Sequence, residues 1–285
     1  MEKKKKSIIK IIILIIILFF SSFLGTYLGN NYYDKQKKNS KDEQVIKDKK
    51  EDKKQEEIVE DKGKIEIYYE EEKKNFISDD GKLKITNSIK YPKTITIESK
   101  AEEKIKSTLK KIVDSNFLTV NNQAQEQVGD YNQNKEGSPL EYGVSYSFSE
   151  IYVSYDVLSF LLTTSGSMGG TGWENKEYYN FSYTTGELLK IEDICIDVSK
   201  CRDIMIEYFL NELKKDERLP NLNEQYETIV KEELLKNNTW GYDSLGIRLV
   251  IPKYSIASGS EGLFEYTISK DVINEYLIDN YKIKA

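Results

Sequence analysis

The sequence predicts an α+β fold with antiparallel sheets and segregated helices, arranged in two lobes and preceded by one transmembrane helix. Three observations lead to this prediction. Stretches in which apolar and polar residues alternate, as in strands, are separated by stretches with apolar residues at helical spacing. The connections between successive strands are short, which favours antiparallel pairing. One long apolar stretch lies near the N-terminus.

That apolar stretch carries no charge from Ile11 to Leu28. As a helix it would span about 27 Å, close to the hydrocarbon thickness of a bilayer. By the positive-inside rule, we expect a cytoplasmic tail at 1–10, a transmembrane anchor at 11–29 and an extracellular remainder. A cleaved signal peptide is the alternative, although the apolar run exceeds the usual ~7–15 residues and no A-x-A site follows. Five lysines precede the run: Lys3, Lys4, Lys5, Lys6 and Lys10.

Residues 30–64 form a charged segment with very few apolar side chains. Such a segment cannot bury enough surface to offset the entropy of ordering, so we predict a solvated stalk. From residue 65 onward the chain holds 26 basic and 37 acidic residues, a net charge of −11. This acidic balance argues against nucleic-acid binding and is compatible with a cationic partner.

The absence of histidine from the sequence limits the chemistry of the chain. It removes the usual general base, the Ser-His-Asp arrangement and the commonest zinc ligand. Cys195 and Cys201 are too few for a structural zinc site, which uses four nitrogen or sulfur ligands. Outside the membrane they can form a disulfide, and two thiols beside a helix start are the alternative. We therefore predict no catalytic residue, no metal site and no cofactor.

The first lobe is predicted over residues 65–163. A helix begins at Ser99, which forms a capping box with Glu102. Residues 121–139, rich in Asn, Gln and Gly, are predicted to be a loop. Pro92 is expected to separate two of the strands. The strand patterns occur at 65–69, 82–92, 93–97, 142–148 and 151–166.

The second lobe is predicted over residues 164–285. Gly186 is expected in a turn that requires positive φ. Ser269 is expected to cap the last helix. The strand patterns occur at 173–184, 246–252 and 263–269, and the helical patterns at 199–215 and 222–236.

The segment GSMGGTG (166–172), followed by Trp173, has the character of a binding site. Its glycines let the backbone approach a ligand closely. It is not a phosphate-binding loop, because it lacks the Lys-Ser/Thr pair and no helix follows directly. A flexible hairpin loop without a ligand is the alternative. The predicted ligand-binding residues are Met168, Gly169, Gly170, Trp173 and Glu174, with Met168 and Trp173 as exposed anchors.

Three segments resemble known extracellular domains. IKYPKTITIESKAEEKIKSTLKKIV (89–113) resembles the strand–YP–helix opening of one domain of unknown function, and residues 169–194 and 245–268 resemble its usual C-terminal companion. The tandem pair is similar to the ectodomain of the lysozyme-sensing anti-sigma factors of Gram-positive bacteria. A similar pair precedes the catalytic domain of some peptidoglycan deacetylases. The resemblance covers about residues 80–280, and its most specific segment runs from Asn180 to Leu189.

Two departures from that family change the function that the resemblance implies. The family commonly reads G-G-A-H where this chain has Gly169, Gly170, Thr171 and Gly172. The segment from Met1 to Lys10 is too short for the roughly 20–30 residues that an interface with a sigma factor would use. We also expect no deacetylase domain, because the sequence leaves no room for one after the segments that carry the resemblance. The resemblance therefore implies a sensing or binding module, without sequestration of a sigma factor.

The resulting expectation is a membrane-anchored extracellular domain that binds a cationic protein such as lysozyme, or peptidoglycan. An enzyme that acts on cell-wall glycan through carboxylates is an alternative, because glycoside hydrolysis uses a pair of them and acidic residues are abundant. A structural surface protein without a defined ligand is a further alternative.

Overall fold

The structure is a computed structural model, and it describes residues 65–97, 101–134, 139–154, 156–168, 171–236 and 238–284. The predicted cytoplasmic tail, transmembrane anchor and stalk lie outside these residues, as does the predicted cap at Ser99. Across the residues described, no helix combines the length and the apolar character that a membrane crossing requires. The fold is α+β with mostly antiparallel strands, which confirms the predicted class.

Within the described residues, five long strands form the larger sheet, in the order β1-β2-β3-β4-β5. Neighbouring strands are antiparallel except β2 and β3, which are parallel. A parallel pair needs a long crossover connection, and helix α1 (Glu102–Asn134) supplies it. The expectation of purely antiparallel sheets is therefore wrong at this pair. The strands are β1 (Glu66–Ile77), β2 (Leu83–Thr96), β3 (Leu140–Val153), β4 (Val157–Met168) and β5 (Thr171–Ser182).

Helix α1 continues well past its predicted end. It has 33 residues and reaches Asn134, so the loop predicted at 121–139 is wrong over most of its length. Asn has low helix propensity, and apolar residues are sparse in this part of the sequence, so its helical pattern is weak. Packing decides the outcome, because Ala124 is buried against Leu83 and Ile85 of β2.

Pro92 does not interrupt β2. The patterns predicted as separate strands, 82–92 and 93–97, form one strand in the structure. Pro92 lies opposite Tyr69, where the register of the β1–β2 pair shifts between Tyr68 and Tyr69. At such an irregularity the missing N–H of proline does not cost a regular ladder hydrogen bond.

The smaller sheet is antiparallel and consists of β6 (Trp240–Asp243), β7 (Gly246–Ile251) and β8 (Phe264–Ser269). The strands predicted at 246–252 and 263–269 and the helix predicted at 199–215 are confirmed with small changes at their ends, whereas the helix predicted at 222–236 is about half as long and the short β6 was not predicted. Ser269 caps helix α5 (Lys270–Ile273) as predicted, since its Oγ accepts a hydrogen bond from the Asp271 N–H at 3.2 Å. The helices packed in the same core are α2 (Ile191–Ile194), α3 (Val198–Leu213), α4 (Tyr226–Glu233) and α5 (Lys270–Ile273).

The two faces of the larger sheet carry different partners. Helix α1 packs on one face, mainly against β1 and β2, and β6 packs against β3, β4 and β5. Strand β3 contributes to both cores because its register shifts between Glu150 and Tyr152. Phe148 belongs to the α1 core, whereas the Tyr152 ring stacks on Tyr242 of β6 at 5.5 Å. A β-bulge thus redirects the side chains of one strand from one core to the other.

A disulfide joins Cys195, just after α2, to Cys201 within α3. Their Cα atoms lie 6.1 Å apart, and both residues are buried in the core around the smaller sheet. Of the two possibilities for these cysteines, a disulfide or two free thiols, the structure thus contains the disulfide.

The connection after β5 contains the predicted turn. Gly186 has a φ of +69°, and a Cβ atom there would lie 2.7 Å from the Ala101 carbonyl oxygen. Both the conformation and the space therefore require glycine. The predicted lobe boundary between residues 163 and 164 falls inside β4, and the larger sheet continues across it to β5.

Candidate functional site

The predicted glycine-rich loop is largely part of a β-hairpin. β4 extends to Met168 and β5 starts at Thr171, and these two residues pair across the hairpin. Gly169, Gly170 and the Met168 side chain lie outside what the structure describes. The predicted site is therefore the tip of a long hairpin.

An open groove of about 520 Å³ lies between this hairpin and the segment 253–263. Of the five predicted ligand-binding residues, Trp173 and Glu174 line it, and Lys253 and Leu263 contribute from the other side. Lys253 and Leu263 could not be predicted as partners, because they are distant in sequence from the hairpin and carry no local motif. The full lining is Ser165, Gly166, Gly172, Trp173, Glu174, Lys253, Gly262 and Leu263.

Lys253 connects the two sides of the groove. Its Nζ donates a hydrogen bond to the Gly172 carbonyl oxygen at 3.3 Å and lies 5.3 Å from the centroid of the Tyr254 ring. Tyr254 is 51% exposed and has a φ of +72°, which is uncommon for a residue other than glycine. A Cβ atom at Gly259 would lie 2.1 Å from Tyr254 Cε1, so the ring rests directly on that glycine. The result is an exposed aromatic ring and an ammonium group held beside the groove.

Trp173 is half-buried, so the expectation of an exposed anchor is wrong for this residue. Gly166 is its cross-strand partner, and a Cβ atom on Gly166 would lie 2.8 Å from Trp173 Nε1. The indole ring therefore lies flat on the neighbouring strand, in space that only a glycine leaves open. The next residue, Glu174, is exposed and pairs with Ser165.

A network of charged side chains joins the two sheets next to the groove. Glu265 of β8 accepts hydrogen bonds from Lys176 Nζ and from the Tyr178 hydroxyl, both on β5. Arg248 Nη1 lies 3.4 Å from Glu265, and Arg248 Nε donates to Asp243 Oδ2 at 2.6 Å. Burial by itself raises the pKa of Glu265, but the hydrogen bonds from Lys176 and Tyr178 outweigh it and leave the pKa lowered.

This network links β5 of the larger sheet to the smaller sheet. Each carboxylate in it has a cationic partner, as expected for charges that are partly removed from water. In the described part of the chain, no cluster of three or more metal-ligating side chains could hold a metal ion.

Comparison with models of known protein families finds no match, and comparison with curated proteins finds none either. Among solved structures, a member of the DUF3298 family from Bacteroides fragilis has a similar fold. It gives a TM-score of 0.54 at 14% identity, over 78% of this chain and 96% of that one. A DUF3298 family protein from Pseudomonas aeruginosa gives 0.45 at 13% identity, over 79% and 99% of the two chains.

The likeness to the Bacteroides fragilis protein shows the fold alone. The chain has the fold of a domain whose function is unknown, in line with the expected resemblance to an uncharacterised domain. The finer resemblance, to lysozyme-sensing anti-sigma factors and to peptidoglycan deacetylases, stays a prediction.

Proposed function

We propose that this protein is a membrane-anchored extracellular binding or sensing domain whose ligand is a cationic protein such as lysozyme, or peptidoglycan. The observation that supports the proposal most directly is the open groove at the tip of the β4–β5 hairpin. The uncharged run from Ile11 to Leu28 and the lysines before it support the anchor and the extracellular location.

The groove has the properties of a site for a large ligand. Small-molecule sites enclose most of the ligand surface, whereas this groove is open and suits an extended chain or a protein surface. Glu174 and Lys253 supply charged hydrogen-bonding groups, and the exposed Tyr254 ring beside them supplies an aromatic surface. The net charge of −11 beyond residue 64 would steer a basic partner toward the domain and make association salt-dependent.

Binding of the full-length chain in detergent micelles tests this proposal. We expect the chain to bind lysozyme at low salt or to sediment with purified peptidoglycan. Replacing Glu174 by Gln should weaken binding about tenfold, the effect expected for loss of a hydrogen bond to a charged group. Surface plasmon resonance with lysozyme and co-sedimentation with cell walls measure the two ligands separately.

Glu275→Gln is the matched control, because it removes the same charge from an exposed residue outside the groove lining. Equal weakening by both substitutions would mean that net charge alone drives association, and would contradict a role for the groove. Binding of neither ligand at low salt would overturn the proposed ligand classes.

The alternative of a glycan-acting enzyme predicts a different result. Glycoside hydrolysis uses a pair of carboxylates, and Glu174 is the carboxylate in the described groove lining. Purified cell walls incubated with the chain should keep their turbidity if the protein only binds them. A loss of turbidity that Glu174→Gln abolishes would favour the enzyme.

A further inference from the structure

A second polar cluster lies on the face of β5 opposite to Glu174. Because side chains alternate along a strand, Asn175 and Glu177 point away from the Glu174 face and toward the face on which α1 packs. The register places Tyr146 of β3, Thr164 of β4 and Asn175 in one cross-strand row. We call Tyr146, Asn175, Glu177 and Tyr179 the Glu177 cluster.

Glu177 is a desolvated carboxylate without a cationic partner. The Tyr179 hydroxyl donates to Glu177 Oε2 at 2.7 Å, and the Asn238 amide contacts the same oxygen at 3.4 Å. No salt bridge involves Glu177 in the part of the chain that the structure describes. Burial raises the pKa of Glu177 by more than these two hydrogen bonds lower it. An unpaired charge of this kind is destabilising, in contrast to Glu265 with its Lys176 partner.

The cluster contains another acceptor without a donor. Asn175 Oδ1 is buried and has no hydrogen-bond partner among the described residues. Native proteins leave few such atoms unsatisfied, so each of them requires an explanation. The aromatic rings of Tyr146 and Tyr179 belong to the same cluster; burial raises the pKa of both tyrosines, and the negative charge of Glu177 raises it further.

We propose that the Glu177 cluster binds a cationic amine, of the kind carried by a lysine-type side chain. An ammonium group carries three donors and a positive charge, which complement the carboxylate and the unsatisfied Asn175 oxygen. The faces of tyrosine rings also attract cations.

The cluster reaches the protein surface. Helix α1 packs mainly against β1 and β2, and Tyr146, Asn175 and Glu177 each keep part of their surface exposed, although the Asn175 Oδ1 atom itself is buried. The site lies on the opposite sheet face from the Glu174 carboxylate. The inference therefore does not rest on the proposed function of the groove.

Calorimetric titration of the full-length chain in micelles with n-butylammonium chloride tests the site, with n-butanol as the neutral analogue. We expect saturable binding of the ammonium and none of the alcohol. Glu177→Gln should weaken ammonium binding about tenfold or more, since it removes the charged acceptor. The variant should unfold at a temperature no lower than the wild type, because the substitution removes a desolvated charge.

Glu275→Gln is the matched control, since it makes the same change at an exposed residue that belongs neither to the groove lining nor to the Glu177 cluster. It should leave ammonium binding within about twofold of the wild type, as expected for a residue that does not contact the amine. Three results would overturn the proposal: no saturable binding by the wild type, unchanged binding by Glu177→Gln, or equal weakening by both variants.

Discussion

Strand β1 of the larger sheet and strands β6 and β7 of the smaller sheet are buried to very different degrees. The long edge strand β1 has no fully buried residue, whereas every residue of the short strand β6 is buried, and β7 is buried at five of its six positions. The smaller sheet and its helices form a closed core. The larger sheet includes the edge strand β1, which has no fully buried residue, and both the groove and the Glu177 cluster involve its β4–β5 hairpin. Stability and accessible surface are therefore concentrated in different regions, as is common where a binding surface needs exposed side chains.

The largest expected effect of a single substitution tests this difference in burial. Phe209 of α3 is 0% exposed, and its ring packs edge-to-face against Tyr266 at 4.9 Å. Phe209→Ala should lower the free energy of unfolding by about 3–5 kcal/mol. Phe76→Ala on β1, where the ring is half-buried, should cost less than about 2 kcal/mol. Urea unfolding measures both values, and equal losses would contradict the comparison.

Removing the disulfide should have an intermediate effect. Cys195 and Cys201 are separated by six positions, and cross-linking so short a loop stabilises by about 2 kcal/mol in the chain-entropy model. The double substitution of both residues by Ala should lower the free energy of unfolding by that amount. A reducing agent should destabilise the wild type similarly and leave the double variant unchanged. If the agent destabilised both equally, it would be acting elsewhere.

The smallest expected effects come from two glutamates whose pKa values are shifted in opposite directions. The pKa of Glu265 is lowered, so its stabilising contribution is present above its ordinary value of 4.5 and is lost as the pH falls through the folded-state pKa. The pKa of Glu177 is raised, so its charge destabilises the fold above the folded-state pKa, and this effect disappears on acidification below the ordinary value.

At pH 7, Glu265→Gln should therefore lower the free energy of unfolding by about 1 kcal/mol. Glu177→Gln should raise it or leave it unchanged. Chemical unfolding between pH 3 and pH 7, about the range over which carboxylates titrate, should show both differences shrinking toward acid. A destabilised Glu177→Gln variant at neutral pH would contradict the assignment of an unpaired, desolvated charge.

Local patterns were sufficient to predict most elements around the smaller sheet. Helix α3 and strands β7 and β8 carry apolar residues at regular spacing, and their predicted bounds differ little from the structure. The Gly186 turn was predictable because Thr184, Thr185 and Gly186 follow a strand pattern and glycine adopts a positive φ without steric cost. The short distance between Cys195 and Cys201 in the sequence made their disulfide a reasonable possibility.

The remaining features depend on contacts between distant segments. The parallel β2–β3 pair follows from the length of α1, whose second half contains too many Asn and Gln residues to show a clear helical pattern. The half-buried state of Trp173 was not predictable, because it depends on Gly166, its cross-strand partner. The sequence does not show which of its many carboxylates is desolvated. The burial of Glu177 results from the register of the larger sheet, so it could not be predicted. Lys253 reaches the groove only through the packing of the second sheet against the hairpin.

The position of β1 determines how the domain responds to mechanical load. β1 forms the edge of the larger sheet, with Glu66 opposite Thr96 at the open end of the β1–β2 hairpin and Ile77 opposite Lys84 near its turn. Tension applied at Ile65 acts on the open end, so the hydrogen bonds of this pair break one after another rather than all at once. β1 buries no residue completely, so it can peel away at low force while the disulfide-linked core stays folded. If the chain is anchored on its N-terminal side, as proposed, we expect it to extend first at the strand nearest the anchor, while the hairpin that carries the groove is still intact.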